Sequence, residues 1–202
     1  IKNGYESILS KIMSVSDLYS FLETTFIKKG TYDEFVPQEI NHIVFDVYSN
    51  LMKNSTLKNL EIHCNCDGMS WFAPKGVLIH VFYNLLSNSI YWIDKRRNYA
   101  QSDSKYTSED KDSITVEPYG SNNLIVFDSG TGVLPVMQDI LFSPLQSGKP
   151  KNEGRGMGLY IVKQLMNSFG GEITLLSDLN KYGNRYKFLL ELGENTDERS
   201  LL

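Results

Sequence analysis

The sequence has almost no cysteine: among its 202 residues only Cys64 and Cys66 occur, two positions apart. A pair that close cannot staple a fold, and the scarcity points to a reducing compartment, here taken as the cytoplasm. With His63 the two thiols make His-Cys-x-Cys, but no second ligand pair exists to complete the usual four-ligand metal site. No apolar run approaches the ~20 residues that span a bilayer, so no direct membrane contact is expected. A basic excess is missing too: a net charge of -4 with scattered Lys and Arg excludes an electrostatic footprint for nucleic acid. Internal repeats are absent, as is an initiating methionine or signal-peptide pattern, so the sequence reads as a segment of a longer protein.

What is present is an ordinary globular composition, 41% hydrophobic and 22% charged, enough for one core with a short appendage. Tyr5, Ile8, Ile12, Val15, Tyr19, Leu22 and Phe26 recur at spacings of three and four, which predicts a helix over 1–30 whose seam packs on partner helices in a homodimer. Residues 31–37 read as a hinge into a domain over 31–193, and 194–202 read as a frayed tail. Within the domain, helices are expected at 38–52, 75–97 and 159–169. Strands are expected at 60–64, 113–117, 123–127, 172–176 and 185–192. Tyr119-Gly120-Ser121-Asn122 is a hairpin turn signal, and the polar stretch 98–112 reads as an exposed loop. Helices and mostly antiparallel strands in this order predict an α+β fold, a two-layer sandwich with a mixed sheet packed on helices.

Three segments carry chemistry. On the helix at 75–97, Ile79, Phe82, Leu86, Ile90 and Ile93 share one face, while Asn84, Asn88, Tyr91 and Lys95 share the other. Asparagine is a poor mid-helix residue whose amide is costly to bury unpaired, so two of them at i, i+4 face solvent or a ligand. Phe127-Asp128-Ser129-Gly130-Thr131-Gly132 sets a carboxylate at a strand end, where it can accept a hydrogen bond from an exocyclic amine. Gly154-Arg155-Gly156-Met157-Gly158 directly precedes a helix, whose free N–H groups and positive end suit phosphate. It is neither a Walker loop nor a dinucleotide fingerprint, since no Gly-Lys-Ser/Thr follows and no strand leads straight in.

Asn84-Leu85-Leu86-Ser87-Asn88, Asp128-Ser129-Gly130-Thr131-Gly132 and Gly154-Arg155-Gly156-Met157-Gly158-Leu159 closely resemble the N, G1 and G2 boxes of the GHKL ATPases, which include DNA gyrase B, MutL, heat-shock chaperones and histidine kinases. Leu141-Phe142-Ser143-Pro144-Leu145-Gln146-Ser147-Gly148-Lys149 resembles the phenylalanine box of histidine kinases, at the start of the ATP lid, and 5–26 resembles the second helix of their dimerisation hairpin. The resemblance implies an ATP-binding catalytic domain with ATP and magnesium as cofactors. Asn88 would coordinate the magnesium, Asp128 would read the adenine amine, and Gly130 and Gly132 would shape the base pocket. Gly154, Gly156 and Gly158 would flank the phosphates, Lys149 would reach the terminal one, and Trp92, Phe142, Met157 and Leu159 would also contact the nucleotide.

Hydrolases of this superfamily commonly carry a glutamate where this chain has Asn84. An amide cannot take a proton from water, so the site reads as one that keeps ATP until another nucleophile arrives. That favours a histidine kinase, relaying phosphate through a histidine to a response regulator, over an ATP-driven switch of the MutL or chaperone type. Two departures stand out. Tyr91 and Trp92 follow the second asparagine where many histidine kinases have a basic residue and then an aromatic one, which leaves one phosphate contact to be supplied elsewhere and keeps open a nucleotide-sensing module without phosphotransfer. The only histidines are His42, His63 and His80, none on the first helix, so the phosphoacceptor would lie outside this segment.

Overall fold

The computed structural model describes residues 36–53, 55–103, 105–106, 111–150 and 153–192. The N-terminal helix expected over 1–30, most of the hinge and the tail expected over 194–202 lie outside the described residues.

Strand β1 (Val36–Glu39) runs directly into helix α1 (Ile40–Met52). Ile40, Ile43, Val44 and Val47 recur at three- and four-residue spacing and are the buried stripe of that helix. β2 (Glu61–Cys64) and β3 (Ser70–Ala73) follow, then the long helix α2 (Lys75–Tyr99). β4 (Ser113–Tyr119) and β5 (Asn123–Asp128) form the expected hairpin. A single turn, α3 (Pro135–Gln138), precedes α4 (Gly158–Ser168), and β6 (Glu172–Leu175) and β7 (Phe188–Glu191) complete the chain.

The main sheet has the order β2-β4-β5-β7-β6. β2 lies parallel to β4 while the remaining pairs are antiparallel, so the sheet is mixed. Ile114, Val116, Leu124, Val126, Ile173 and Leu190 enter the same core as α1, α2 and α4. The result is the two-layer α+β arrangement expected. Among the described residues no helix is long and apolar enough to cross a membrane.

Several elements differ from expectation. Part of the predicted hinge is strand: Val36–Glu39 pairs antiparallel with β3 in a separate two-stranded ribbon, in register Val36↔Ala73. Pro37 is tolerated because such a ribbon consists of edges, where a missing N–H costs no ladder bond. β3 itself is only four residues with no alternating pattern to announce it; its Trp71 is fully buried and donates from Nε1 to the Asn122 carbonyl at 3.1 Å, tying the ribbon to the β4–β5 turn. On α2, Ile79 is 36% exposed rather than part of the apolar face. The buried stripe runs instead through Val77, Leu78, Val81, Phe82, Leu85, Leu86, Ser89 and Ile93. Cys64 donates to Asn41 Oδ1 at 2.9 Å and Cys66 to the Val116 carbonyl at 3.7 Å, so both thiols are engaged at the start of α1 and the end of β2.

Candidate functional site

α2, the end of β5, the segment 132–158 and β7 enclose a cavity of about 350 Å³. That volume lies within the range of small-ligand sites. The three glycine- and asparagine-bearing motifs, scattered over 75 residues of sequence, converge on it: Asn84, Asn88, Trp92, Asp128, Gly132, Lys149, Gly154, Gly156, Met157, Gly158 and Leu159 all line its walls.

Its base is set by Asp128. The β4–β5 pairing aligns Asp128 with Ile114 at the last rung of the hairpin, and the chain then turns so that the Gly130 N–H donates to Asp128 Oδ1 at 2.8 Å. Burial pushes the Asp128 carboxyl up from 3.8 to about 6, opposed by hydrogen bonds from Ser89 and Gly130 and by the charge of Arg96. Such a group is a strong acceptor for a buried amine. Gly130 lies behind the wall, because any Cβ there would meet the Asp128 carboxylate at 2.7 Å and the Trp92 backbone at 2.9 Å. Gly132 has a φ of +73°, and a Cβ there would meet Asn180 at 2.7 Å. Only glycine suits that turn.

Val126, two residues before Asp128 on β5, and Leu134, Met137, Ile161 and Phe188 give the cavity apolar walls of the kind that fit a planar base. Phe142 is not among the lining residues; it packs edge-on against Phe188 at 6.4 Å and supports the wall from behind.

The opposite end is polar. Asn84 and Asn88 face the first residue of α4, and a Cβ on Gly158 would lie 3.0 Å from Asn84 Oδ1 and 3.7 Å from Asn88 Nδ2. Asn84 also donates from Nδ2 to the His80 carbonyl at 2.8 Å. Lys149 Nζ donates to Asn88 Oδ1 at 2.8 Å, crossing from the segment 136–153 to α2. Gly156, at φ +69°, lets its chain lie against Gln146, whose backbone oxygen would be 2.5 Å from a Cβ. The N-terminus of α4, with its unpaired N–H groups and positive dipole end, opens here.

Sequence reasoning passed over Ser89, Met137, Tyr186 and Phe188. Ser89 carried a usable signal, a small polar residue one position after Asn88 on a largely apolar helix. The β7 residues carried none, because their approach is a matter of sheet order.

Residues 75–194 match the family described as histidine kinase-, DNA gyrase B-, and HSP90-like ATPases. The chain belongs to this ATPase family. The histidine protein kinase SaeS of Staphylococcus aureus is 23% identical over 189 residues, which cover 89% of this chain and 50% of SaeS. The CAI-1 autoinducer sensor kinase/phosphatase CqsS of Vibrio cholerae is 27% identical over 150 residues, 70% of this chain and 19% of that protein. The chain thus spans about half the length of SaeS and less of CqsS. In fold it is similar to the catalytic domain of the histidine kinase ThkA, at a TM-score of 0.58 and 20% identity, covering 80% of this chain and 96% of that domain. Within the ATPase family, then, the chain has a fold similar to that of the ThkA catalytic domain.

Proposed function

We propose that this domain binds ATP with magnesium, adenine against Asp128 and phosphates toward the start of α4, and passes the γ-phosphate to a histidine outside the segment for relay to a response regulator. The supporting observation is the placement of acids. Among the described residues that line the cavity Asp128 is the one carboxylate, and it sits at the end of β5, held by the Gly130 N–H. The rest of the polar lining has amides, hydroxyls, glycines, Lys149 and Arg155 instead. A γ-phosphate there would meet no base able to activate water, so ATP would persist until a nucleophile with its own acid–base chemistry arrived. This favours phosphotransfer over an ATP-driven hydrolytic switch.

Asn88 is suited to hold the metal. Its amide oxygen already accepts a cation, the Lys149 ammonium, at 2.8 Å, and magnesium takes oxygen ligands of this kind, using few protein groups beside substrate phosphates. Bound there, the ion would neutralise phosphate charge as the leaving group departs. The chain's own groups would do the rest: Asp128 orients the base, the α4 N–H groups receive phosphate oxygens, and the apolar walls exclude water. Homodimerisation through 5–26 would bring the acceptor helix within reach.

The test is a polypeptide extending upstream of Ile1, incubated with γ-labelled ATP. Acid-labile, base-stable label on the protein, absent in Asn88→Ala, is the expected result; release of free phosphate without protein labelling would indicate a hydrolytic switch.

A further inference from the structure

Asn88, Tyr91 and Lys95 occupy one face of α2 at i, i+3 and i+7, and Lys149 and Glu153 lie against them. Lys149 Nζ reaches Asn88 Oδ1 at 2.8 Å and lies 4.2 Å from the centroid of the Tyr91 ring. The Tyr91 hydroxyl donates to Glu153 Oε2 at 2.7 Å, and Lys95 pairs with the same oxygen at 2.9 Å. Glu153 is brought back beside Lys149 by a tight turn, in which the N–H groups of Glu153 and Gly154 both donate to the Pro150 carbonyl, at 2.8 and 3.2 Å. Gly154 leaves room for the lysine stem: a Cβ there would lie 2.8 Å from Lys149 Cδ and 2.9 Å from Lys149 Cβ. Lys149 lines the cavity, whereas Tyr91, Lys95 and Glu153 do not.

Each contact has a distinct physical job. The ring face of Tyr91 stabilises a partly desolvated ammonium. Burial pulls the Lys149 ammonium below the ordinary lysine range, and the negative charge of Glu153 pushes it back up. The Tyr91 phenol is pushed up to about 12, chiefly by burial and then by Glu153, so it stays a donor and ties the turn to the helix. Among the described residues that line the cavity with Lys149, Asp128 is the one carboxylate.

We propose that Tyr91 and Glu153 are positioning residues for Lys149, seating its ammonium beside Asn88 as a side-chain cation for the terminal phosphates of ATP, in a cavity that Arg155 also lines. This rests on the ATP-binding reading above. It also answers the sequence's departure at Tyr91: the cation comes from the segment across the cavity, and the aromatic residue on α2 is its seat.

Calorimetric titration of the chain with ATP and with adenosine, in magnesium, tests it. Lys149→Ala and Tyr91→Ala are each expected to weaken ATP about tenfold, the worth of one charge-assisted contact, with adenosine unchanged. The double variant should lose no more than either single one, because both remove the same contact. Tyr91→Phe and Glu153→Gln, which keep the ring and the fold, should each produce a smaller loss specific to ATP. Wild-type preference for ATP over adenosine in Tyr91→Ala, or losses that add in the double variant, would overturn the proposal and leave ATP binding standing. A wild-type chain that bound neither ligand would overturn both.

Discussion

Asp128 and Gly130 are joined by a hydrogen bond of 2.8 Å from the glycine N–H to the carboxylate, so the acid at the cavity's base is aimed by the same turn that gives the base its shape. Removing that carboxylate by Asp128→Ala is expected to cost about 2 kcal/mol of nucleotide affinity, roughly thirtyfold, by loss of one charge-assisted hydrogen bond. The loss should be the same for adenosine and ATP. Calorimetry showing wild-type affinity for adenosine in the variant would remove Asp128 from base recognition.

The same acid sets a pH dependence. Because burial raises its folded-state value from 3.8 to about 6, the folded chain holds this proton where the unfolded chain has released it. Its contribution to stability is therefore full below about pH 4, falls as pH rises to about 6, and stays lost above. Asp128→Asn should stabilise the ligand-free chain at pH 7 by about 2 kcal/mol, visible as a higher Tm, and abolish this dependence. An Asn variant that was less stable at pH 7 and titrated like the wild type would contradict the assignment.

Gly156 separates binding from folding. Its φ of +69° and the 2.5 Å approach of the Gln146 backbone leave no space for a methyl group. Gly156→Ala should displace the segment before α4 and abolish ATP binding, while urea denaturation reports a loss of only about 1–3 kcal/mol, the usual cost of local strain. ATP affinity within threefold of wild type would refute the close approach.

Arg96 and Asp112 form an ion pair with side chains 1% and 4% exposed, and Arg97, 37% exposed, pairs with the same acid. Asp112→Ala removes the carboxylate paired with a buried arginine and should cost about 3–5 kcal/mol in urea denaturation. Combining it with Arg96→Met should recover most of that. Arg97→Ala should cost less than about 1 kcal/mol, since its guanidinium is partly exposed and screened by water.

Much of this was legible in the sequence where the signal was local. The stripe Ile40, Ile43, Val44 and Val47 announced α1, and the boundaries of α2 and α4 fell within two residues of expectation. The motif residues of the site were legible because their chemistry, amides on a helix, an acid at a strand end and glycines before a helix, constrains their spacing. β1 and β3 were not, because four-residue strands in a ribbon show no period. The Tyr91–Glu153 bond, 62 positions apart, could not be read at all, since nothing in either residue's neighbourhood names the other. Residues 1–30 remain an expectation. Ile12→Glu with Tyr19→Glu in a longer polypeptide should shift sedimentation from dimer to monomer while ATP affinity stays constant, through the cost of desolvating two charges on a seam.

The proposed function requires that the cavity hold ATP without a base to hydrolyse it, Asn84 standing where a carboxylate would act. The most direct measurement is a single-turnover experiment on this chain with γ-labelled ATP and magnesium, following bound label and released phosphate together. The expected result is stoichiometric binding, with the ATP recovered intact over many minutes and Asn88→Ala binding weakly. Phosphate release at the rate of a dedicated ATPase, abolished by Asn88→Ala, would contradict it.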